Sequence, residues 1–299
     1  MDGGASNGTA PAGDRIDFQL YRYTPSLPAA VIVSVVFGIL TGLHTWRLLR
    51  CRAFYFIAFT IGGIFETIGY AGRIASHFNK EQLAGFIMQS LLILVAPALF
   101  AASIYMILGR LILAVRAEHL SILPARKVTK IFVAGDVVSF TLQMGGGGIQ
   151  ASGSFDLFKI GEKVILGGLF VQIVMFGFFV VTSVLFHRRL ARDPTPDAVK
   201  NTVPWRRHLL VLYTVSAFIL VRSVFRVVEY IQGNSGYLIS HEVFLYIFDA
   251  VLMAVVMAVF LIFYVGDLDT ALRGAVGERR LSSSDVMLEE LPQRTHHKP

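Results

Sequence analysis

Seven apolar stretches recur along this chain, and each is long enough to cross a lipid bilayer as a helix. A spanning helix needs about 20 mostly apolar residues, whereas a spanning strand needs about half that number and alternates in polarity. These stretches do not alternate, so they predict an all-α polytopic membrane protein with seven transmembrane helices. The stretches are residues 28–46, 53–72, 84–109, 131–149, 164–186, 209–231 and 243–265.

Composition agrees with this class. Hydrophobic residues make up 55% of the chain, charged residues 16%, and the mean hydropathy is +0.63, outside the range of soluble globular proteins. We predict one transmembrane domain, residues 23–270, between a disordered extracellular tail, 1–22, and a disordered cytosolic tail, 271–299.

The distribution of Lys and Arg predicts the orientation. The segments 46–52, 110–130, 187–208 and the tail after 265 together hold nineteen, and the alternate segments together hold six. Cytosolic segments carry the excess of positive charge in membrane proteins. The N-terminus is therefore predicted outside and the C-terminus in the cytosol.

The sixth stretch carries Arg222, Arg226 and Glu229 among apolar residues. An arginine at the bilayer centre is unfavourable by about 2.5 to 3.5 kcal/mol on insertion scales, so these side chains must face protein or water. Spacings of four and three put all three on one helical face. The stretch therefore predicts both a membrane span and a polar site.

Polar residues of other stretches fall at a similar depth, in the outer half of the membrane, when placed at 1.5 Å per residue. They are Glu66, Tyr70 and Arg73 in the second stretch, Gln89 in the third, Gln143 in the fourth, Gln172 in the fifth, and Tyr246 and Asp249 in the seventh. With the sixth stretch they predict a substrate-binding layer in which three carboxylates balance three arginines. The alternative is a set of buried ion pairs that only fixes the register of the helices.

Asp136 lies nearer the cytosolic end of the fourth stretch, outside this balance. It either takes up a proton, because burial disfavours the charged form, or it reaches the cytosolic interface. The first alternative makes it the candidate for proton coupling.

Helix-breaking residues interrupt two stretches and are hinge candidates. Pro97 is expected to kink the third stretch and to leave a backbone carbonyl free. Four glycines, Gly145, Gly146, Gly147 and Gly148, follow Gln143, and each destabilises a helix by about 1 kcal/mol relative to Ala. We expect the helix to end or unwind there, either as a simple helix end or as a hinge.

No enzyme, metal site or cofactor is expected. The chain has no glycine-rich phosphate loop, the seventh stretch has no lysine for a retinal Schiff base, and the histidines fall at the ends of stretches or in loops.

The net charge of +7 is explained by the cytosolic loops and does not indicate a nucleic-acid partner. The expected partners are membrane lipid and an amphipathic substrate, and the oligomeric state is left open. Asn7 begins a glycosylation sequon on the outer tail.

Seven motifs in order resemble the fungal lipid-translocating exporter family, named for resistance to aminocholesterol, over residues 20–270. They are Tyr23 to Ser26, Glu66 to Arg73, Ala96-Pro97 with Tyr105, Asp136 to Ser139 with Gln143 and its glycines, Gly168 with Gln172, Arg222 to Glu229, and Glu242 with Tyr246 and Asp249. The resemblance implies a fungal seven-span protein of the plasma membrane or another cell membrane. It also implies a part in moving sphingoid long-chain bases or other amphipathic and toxic compounds, porphyrins among them.

Two functions remain open from the sequence. An exporter, or flippase, would hold a cationic amine headgroup on Glu66, Glu229 and Asp249 and place the lipid tail on Phe-rich helix surfaces. A seven-span lipid or drug sensor would use the same pocket and engage a cytosolic partner through loops 110–130 and 187–208.

Overall fold

The described part of the chain forms seven long helices. The computed structural model describes residues 26–78, 83–150, 155–200, 204–233 and 236–263, and all regular structure in these residues is helical. The helices are α1 (Leu27–Cys51), α2 (Ile57–Phe78), α3 (Leu83–Ala114), α4 (Ala125–Gln150), α5 (Phe155–Arg192), α6 (Trp205–Gln232) and α7 (Glu242–Ile262). Short helical turns at Phe54–Phe56, Glu118–Leu120, Pro196–Val199 and Tyr237–Ser240 lie between them.

The all-helical membrane class is confirmed. Six of the described helices are long and apolar enough to cross a membrane, and α4 is the long helix that does not meet both criteria. Its 26 residues extend about 39 Å, longer than the hydrocarbon core, but its glycines and polar residues make it less apolar. The count of seven crossings and the orientation stay predictions, and we use "outer" and "inner" for helix ends in that predicted sense.

The helices form a ring in chain order. Each one packs against the next, and α7 packs back against α1. In addition α3 crosses the middle of the ring to contact α6. This crossing divides the bundle into a group of α1, α2, α3, α6 and α7 and a group of α3, α4, α5 and α6.

Polar side chains of α1 bond to the inner half of α7 and so help to close the ring. The ring Nε2 of His44 lies 2.9 Å from the carbonyl of Met257, and Arg47 donates to the carbonyl of Leu261. His44 is fully buried inside α1, between Phe56 and Phe59. The helix continues beyond His44 to Cys51.

The four consecutive glycines do not end α4. The helix runs through them to Gln150, so the prediction that it ends or unwinds there is wrong. At Gly146 a Cβ atom would lie 2.8 Å from the carbonyl oxygen of Gly161 and 2.7 Å from Ile165, both on α5. The missing side chain lets the two helices approach closely, and this packing outweighs the low helix propensity of glycine. Movement at Pro97 and at the glycines stays a prediction.

A pair of alanine substitutions tests this packing. We expect Gly146→Ala to lower the midpoint of thermal unfolding, because its Cβ would overlap α5 at distances below 3.0 Å. Gly147→Ala is the matched control, since a Cβ there has no atom within 4 Å, and it should be neutral or stabilise by up to about 1 kcal/mol. Equal effects of the two substitutions would contradict the close approach of α4 and α5.

Candidate functional site

An ionic network lies between α6 and α7 in their outer halves. Arg222 Nε lies 2.5 Å from one carboxylate oxygen of Asp249, and Arg226 pairs with the other. Arg226 also bonds Glu229, at 2.9 Å, one turn further along α6. Asp249 belongs to a π-helical segment, Tyr246–Val251, of the kind that often occurs at functional sites. Arg222 and Arg226 are four residues apart on α6, and both contact the same carboxylate. This agrees with the prediction that they share one face of the helix.

Arg222 also joins α6 to α3. Pro97 has no N–H, so the carbonyl of Ile93, four residues earlier, has no helical donor. Arg222 Nη2 donates to that carbonyl at 2.8 Å. Arg222 is 2% exposed, so water does not compete for this bond. The carbonyl that the sequence predicts to be free thus has a side-chain partner from across the bundle.

A second ionic contact joins the outer ends of α2 and α7. Arg73 of α2 donates to Glu242 at 2.7 Å and to the hydroxyl of Tyr246 at 3.2 Å. That hydroxyl donates in turn to Glu242, at 3.1 Å. The backbone N–H of Ser26 donates to the same carboxylate at 2.9 Å. Glu242 therefore ties the start of α7 to both α2 and the start of α1.

Glu66 is the carboxylate that these arginines leave without an ion pair. It is 1% exposed, and its Oε1 has no hydrogen-bond donor among the described residues. Arg222 and Arg226 lie near enough to act on it electrostatically, as does Tyr70 one turn away. The hydroxyl of Tyr70 is likewise buried without a described hydrogen-bond partner. A carboxyl group and a hydroxyl therefore share a buried environment in which an added cation would stabilise the charged form of the carboxylate.

Glu242 changes the charge balance that the sequence predicts. With it, the network holds four carboxylates and three arginines, so the prediction of three acids against three bases is incomplete. Glu242 stands directly before the seventh stretch, 243–265, and is not part of the predicted layer. Its spacing of four and three to Tyr246 and Asp249 matches that of Glu66, Tyr70 and Arg73, and this repeated pattern could have identified it.

The predicted glutamines of α4 and α5 form a separate group. Gln143 donates to the hydroxyl of Ser139 at 2.8 Å and to the side-chain oxygen of Gln172 at 3.2 Å. Ser139 donates across to the carbonyl of Gly168 at 2.7 Å. These bonds lie in the four-helix group, on the other side of the contact between α3 and α6.

Most of the predicted layer is therefore brought together, but not all of it. The residues that meet around the ionic network are Glu66, Tyr70, Arg73, Arg222, Arg226, Glu229, Tyr246 and Asp249. Gln89 is buried in the outer half of α3, and Asp136 is buried in α4. Asn7 lies outside the described residues. No group of three or more His, Cys, Asp or Glu side chains in the described part of the chain is arranged to hold a metal ion.

The helices and the network define a class: a multi-pass helical membrane protein whose outer half contains buried, arginine-paired carboxylates. A family model described as "RTA1 like protein" matches residues 59–270, more than half of the chain. The chain belongs to this family.

Curated relatives from Saccharomyces cerevisiae match most of its length. Protoporphyrin uptake protein 1 is 38% identical over 280 residues, 81% of this chain and 91% of that protein. Protein RTA1 is 35% identical over 271 residues, 82% of this chain and 84% of that protein. The sphingoid long-chain base transporter RSB1 of strain Lalvin EC1118 is 28% identical over 276 residues, 81% of this chain and 72% of that protein. No solved structure matches the chain significantly.

A double-mutant cycle tests the bond between α3 and α6. Arg222→Gln should destabilise the protein strongly, since it removes a partner from both Asp249 and Ile93. Pro97→Ala supplies a backbone N–H to the Ile93 carbonyl, so in that background the effect of Arg222→Gln should be smaller by about 1–2 kcal/mol. The measurement is the midpoint of thermal unfolding of the purified protein.

Arg226→Gln is the control for this cycle. Arg226 shares Asp249 with Arg222, but its described partners do not include the Ile93 carbonyl. Its effect should therefore be the same with proline or alanine at position 97. If Arg222→Gln is equally destabilising in both backgrounds, the Ile93 bond contributes nothing to stability.

Proposed function

We propose that this protein exports sphingoid long-chain bases or other amphipathic lipids and toxic compounds across a membrane, and thereby contributes to resistance. Membership of the RTA1-like family supports this, together with relatives named for sphingoid-base transport and for protoporphyrin uptake. We further propose that it acts in the plasma membrane, where export removes a toxic compound from the cell, and that it is a carrier and not an enzyme.

The observation that carries the proposal is that Glu66 is buried and forms no ion pair among the described residues. Three of the four carboxylates in the network are paired with arginine, and Glu66 is the fourth. A buried carboxylate is stabilised when it gains an opposite charge and hydrogen-bond donors. The protonated amine of a sphingoid base supplies both. Glu66 is therefore the residue we propose to bind the headgroup.

The proposal assigns one carboxylate to the headgroup, whereas the sequence predicts three. Glu229 and Asp249 were expected to hold the amine beside Glu66, but both are already paired with arginines. Their role in the proposal is to position Arg222 and Arg226 near Glu66. Burial disfavours the charged form of Glu66, and those two positive charges act against that effect.

Aromatic rings beside Glu66 suit the same ligand. Tyr70 stacks on Phe37, with ring centroids 5.6 Å apart, and on Tyr246 at 6.2 Å. An ammonium group gains further stabilisation over such rings when water is excluded. Phe56, Phe59 and Phe100 are packed against one another in the core, so they do not offer a surface to a lipid tail. Exposed phenylalanines such as Phe170 and Phe178 of α5 are the ones we propose for that role.

Reconstituted flux tests the headgroup role. Proteoliposomes that contain only this protein should move a labelled long-chain base across their membrane. Glu66→Gln keeps the side-chain shape but removes the charge, so we expect flux to fall about tenfold or more, equivalent to about 1.4 kcal/mol of lost binding. Glu118→Gln, at an exposed site in the connection from α3 to α4, is the control and should retain full flux.

Full flux from a correctly folded Glu66→Gln variant would refute the assignment of the headgroup site. Asp249→Asn is a poorer test, because it also breaks two ion pairs and is expected to destabilise the fold. Its loss of activity would not separate binding from stability.

A lipid or drug sensor is the second candidate, and the inner connections favour it. The hydroxyl of Thr195 donates to the carbonyl of Val115 at 2.7 Å, and Arg116 pairs with Asp197 at 3.2 Å. The two basic connections are therefore joined into one surface on which a cytosolic partner could dock. A sensor should bind the long-chain base without moving it, so binding without flux from folded wild-type protein would favour this candidate.

A further inference from the structure

A second buried carboxylate lies outside the network, at the junction of α3, α4 and α5. Asp136 of α4 is 6% exposed, and the fully buried hydroxyl of Tyr105 from α3 lies beside it. Ser139 follows on the same face of α4, where its hydroxyl bonds Gly168 and Gln143. Oxygen atoms from two helices therefore converge in the inner part of the four-helix group.

The carboxylate at the centre of this junction has no balancing charge. Oδ2 of Asp136 and Oη of Tyr105 interact with each other without ideal hydrogen-bond geometry, and no other described residue bonds either atom. Asp136 forms no ion pair within the described ranges. A buried carboxylate without a balancing charge is strongly destabilising, so a native protein that keeps one gains from binding a positive charge there.

The described side chains in ring contact with Tyr105 at this junction are aromatic and uncharged. Tyr105 is the titratable group that α3 presents, and Phe176 and Phe179 face it from α5. Along α4, Phe132 packs on Tyr105 at 5.2 Å, while Lys130 is exposed. Ring centroids 4.6 to 6.1 Å from that of Tyr105 show that these rings are in contact, which favours a small cation over an organic one.

We propose that Asp136 and Tyr105 form a binding site for a small monovalent cation, a proton or a sodium ion, separate from the headgroup site at Glu66. Either cation balances the carboxylate, and a sodium ion can also accept the oxygens of Tyr105 and Ser139 as ligands. Asp136 supplies the charge, and Tyr105 positions the bound cation.

The inner site and the outer network are joined by α3. That helix carries the Ile93 carbonyl bound by Arg222, then Pro97, then Tyr105. A change at Asp136 that moves Tyr105 is thus transmitted through the part of α3 where proline interrupts the hydrogen-bond ladder. This step rests on the proposed export function: the cation at the inner site would supply the driving force for movement of the amine.

The site can be tested without measuring transport, by following how the stability of the protein in detergent changes with the cations in solution. The midpoint of thermal unfolding is followed as sodium chloride replaces choline chloride at constant ionic strength, at neutral and at mildly acidic pH. A cation that binds the native state raises the midpoint saturably with its concentration. A response to sodium identifies a sodium site, and a response to acid alone identifies a proton site.

Substitutions show whether the cation-dependent rise of the unfolding midpoint arises at Asp136 and Tyr105. Asp136→Asn should abolish it, and Tyr105→Phe should weaken the apparent cation affinity several-fold. Asp193→Asn makes the same chemical change at an exposed position after α5 and should keep the full response. If Asp136→Asn does not fold, Tyr105→Phe still decides the question.

Two results would overturn the proposal: a wild-type midpoint that responds to neither cation, or a response that survives in Asp136→Asn and is unchanged in Tyr105→Phe. Because no flux is measured, failure here is distinguishable from failure of the export function. A normal cation response in Glu66→Gln protein that transports nothing would separate the two sites.

Discussion

The bond between Arg222 and the Ile93 carbonyl is the contact on which the arrangement of this bundle depends. Pro97 removes the helical donor of that carbonyl, and a bare carbonyl deep in an apolar bundle is unfavourable. Arg222 satisfies it at 2.8 Å and at the same time pairs with Asp249. One guanidinium thus fixes α3, α6 and α7 relative to one another, although α3 and α7 are not neighbours in the ring.

This contact also explains why the polar residues are divided between two places. Where α3 meets α6, the ring is closed across its middle, and side chains on either side cannot mix. The arginines lie on the side of α2 and α7, and they pair with three carboxylates there. Asp136 lies on the other side, among aromatic rings and without an arginine. Its environment therefore differs chemically from that of Glu66, although both are buried acids in one bundle.

The α4–α5 pair shows how packing overrides local preference. Four glycines in a row predict a broken helix, and α4 nevertheless continues to Gln150. Gly146 and Gly161 let the backbones of the two helices approach until a Cβ would collide. In a membrane, where lipid is as apolar as side chains, close contact between helices is a main source of association. The glycines are therefore explained by the contact with α5. This contact is not visible from the sequence of α4 alone.

The sequence by itself determined the helical class, the membrane location and most residues of the ionic network. Apolar stretches of that length can satisfy their backbone in lipid only as helices, and Arg222, Arg226 and Glu229 must then face inward. Only the tertiary structure decided which groups meet: that Arg73 pairs with Glu242, that Glu66 has no ion pair among the described residues, and that Gln143 and Gln172 lie apart from the ionic network. Depth along a helix follows from counting residues, whereas pairing depends on which helix faces are brought together across the bundle.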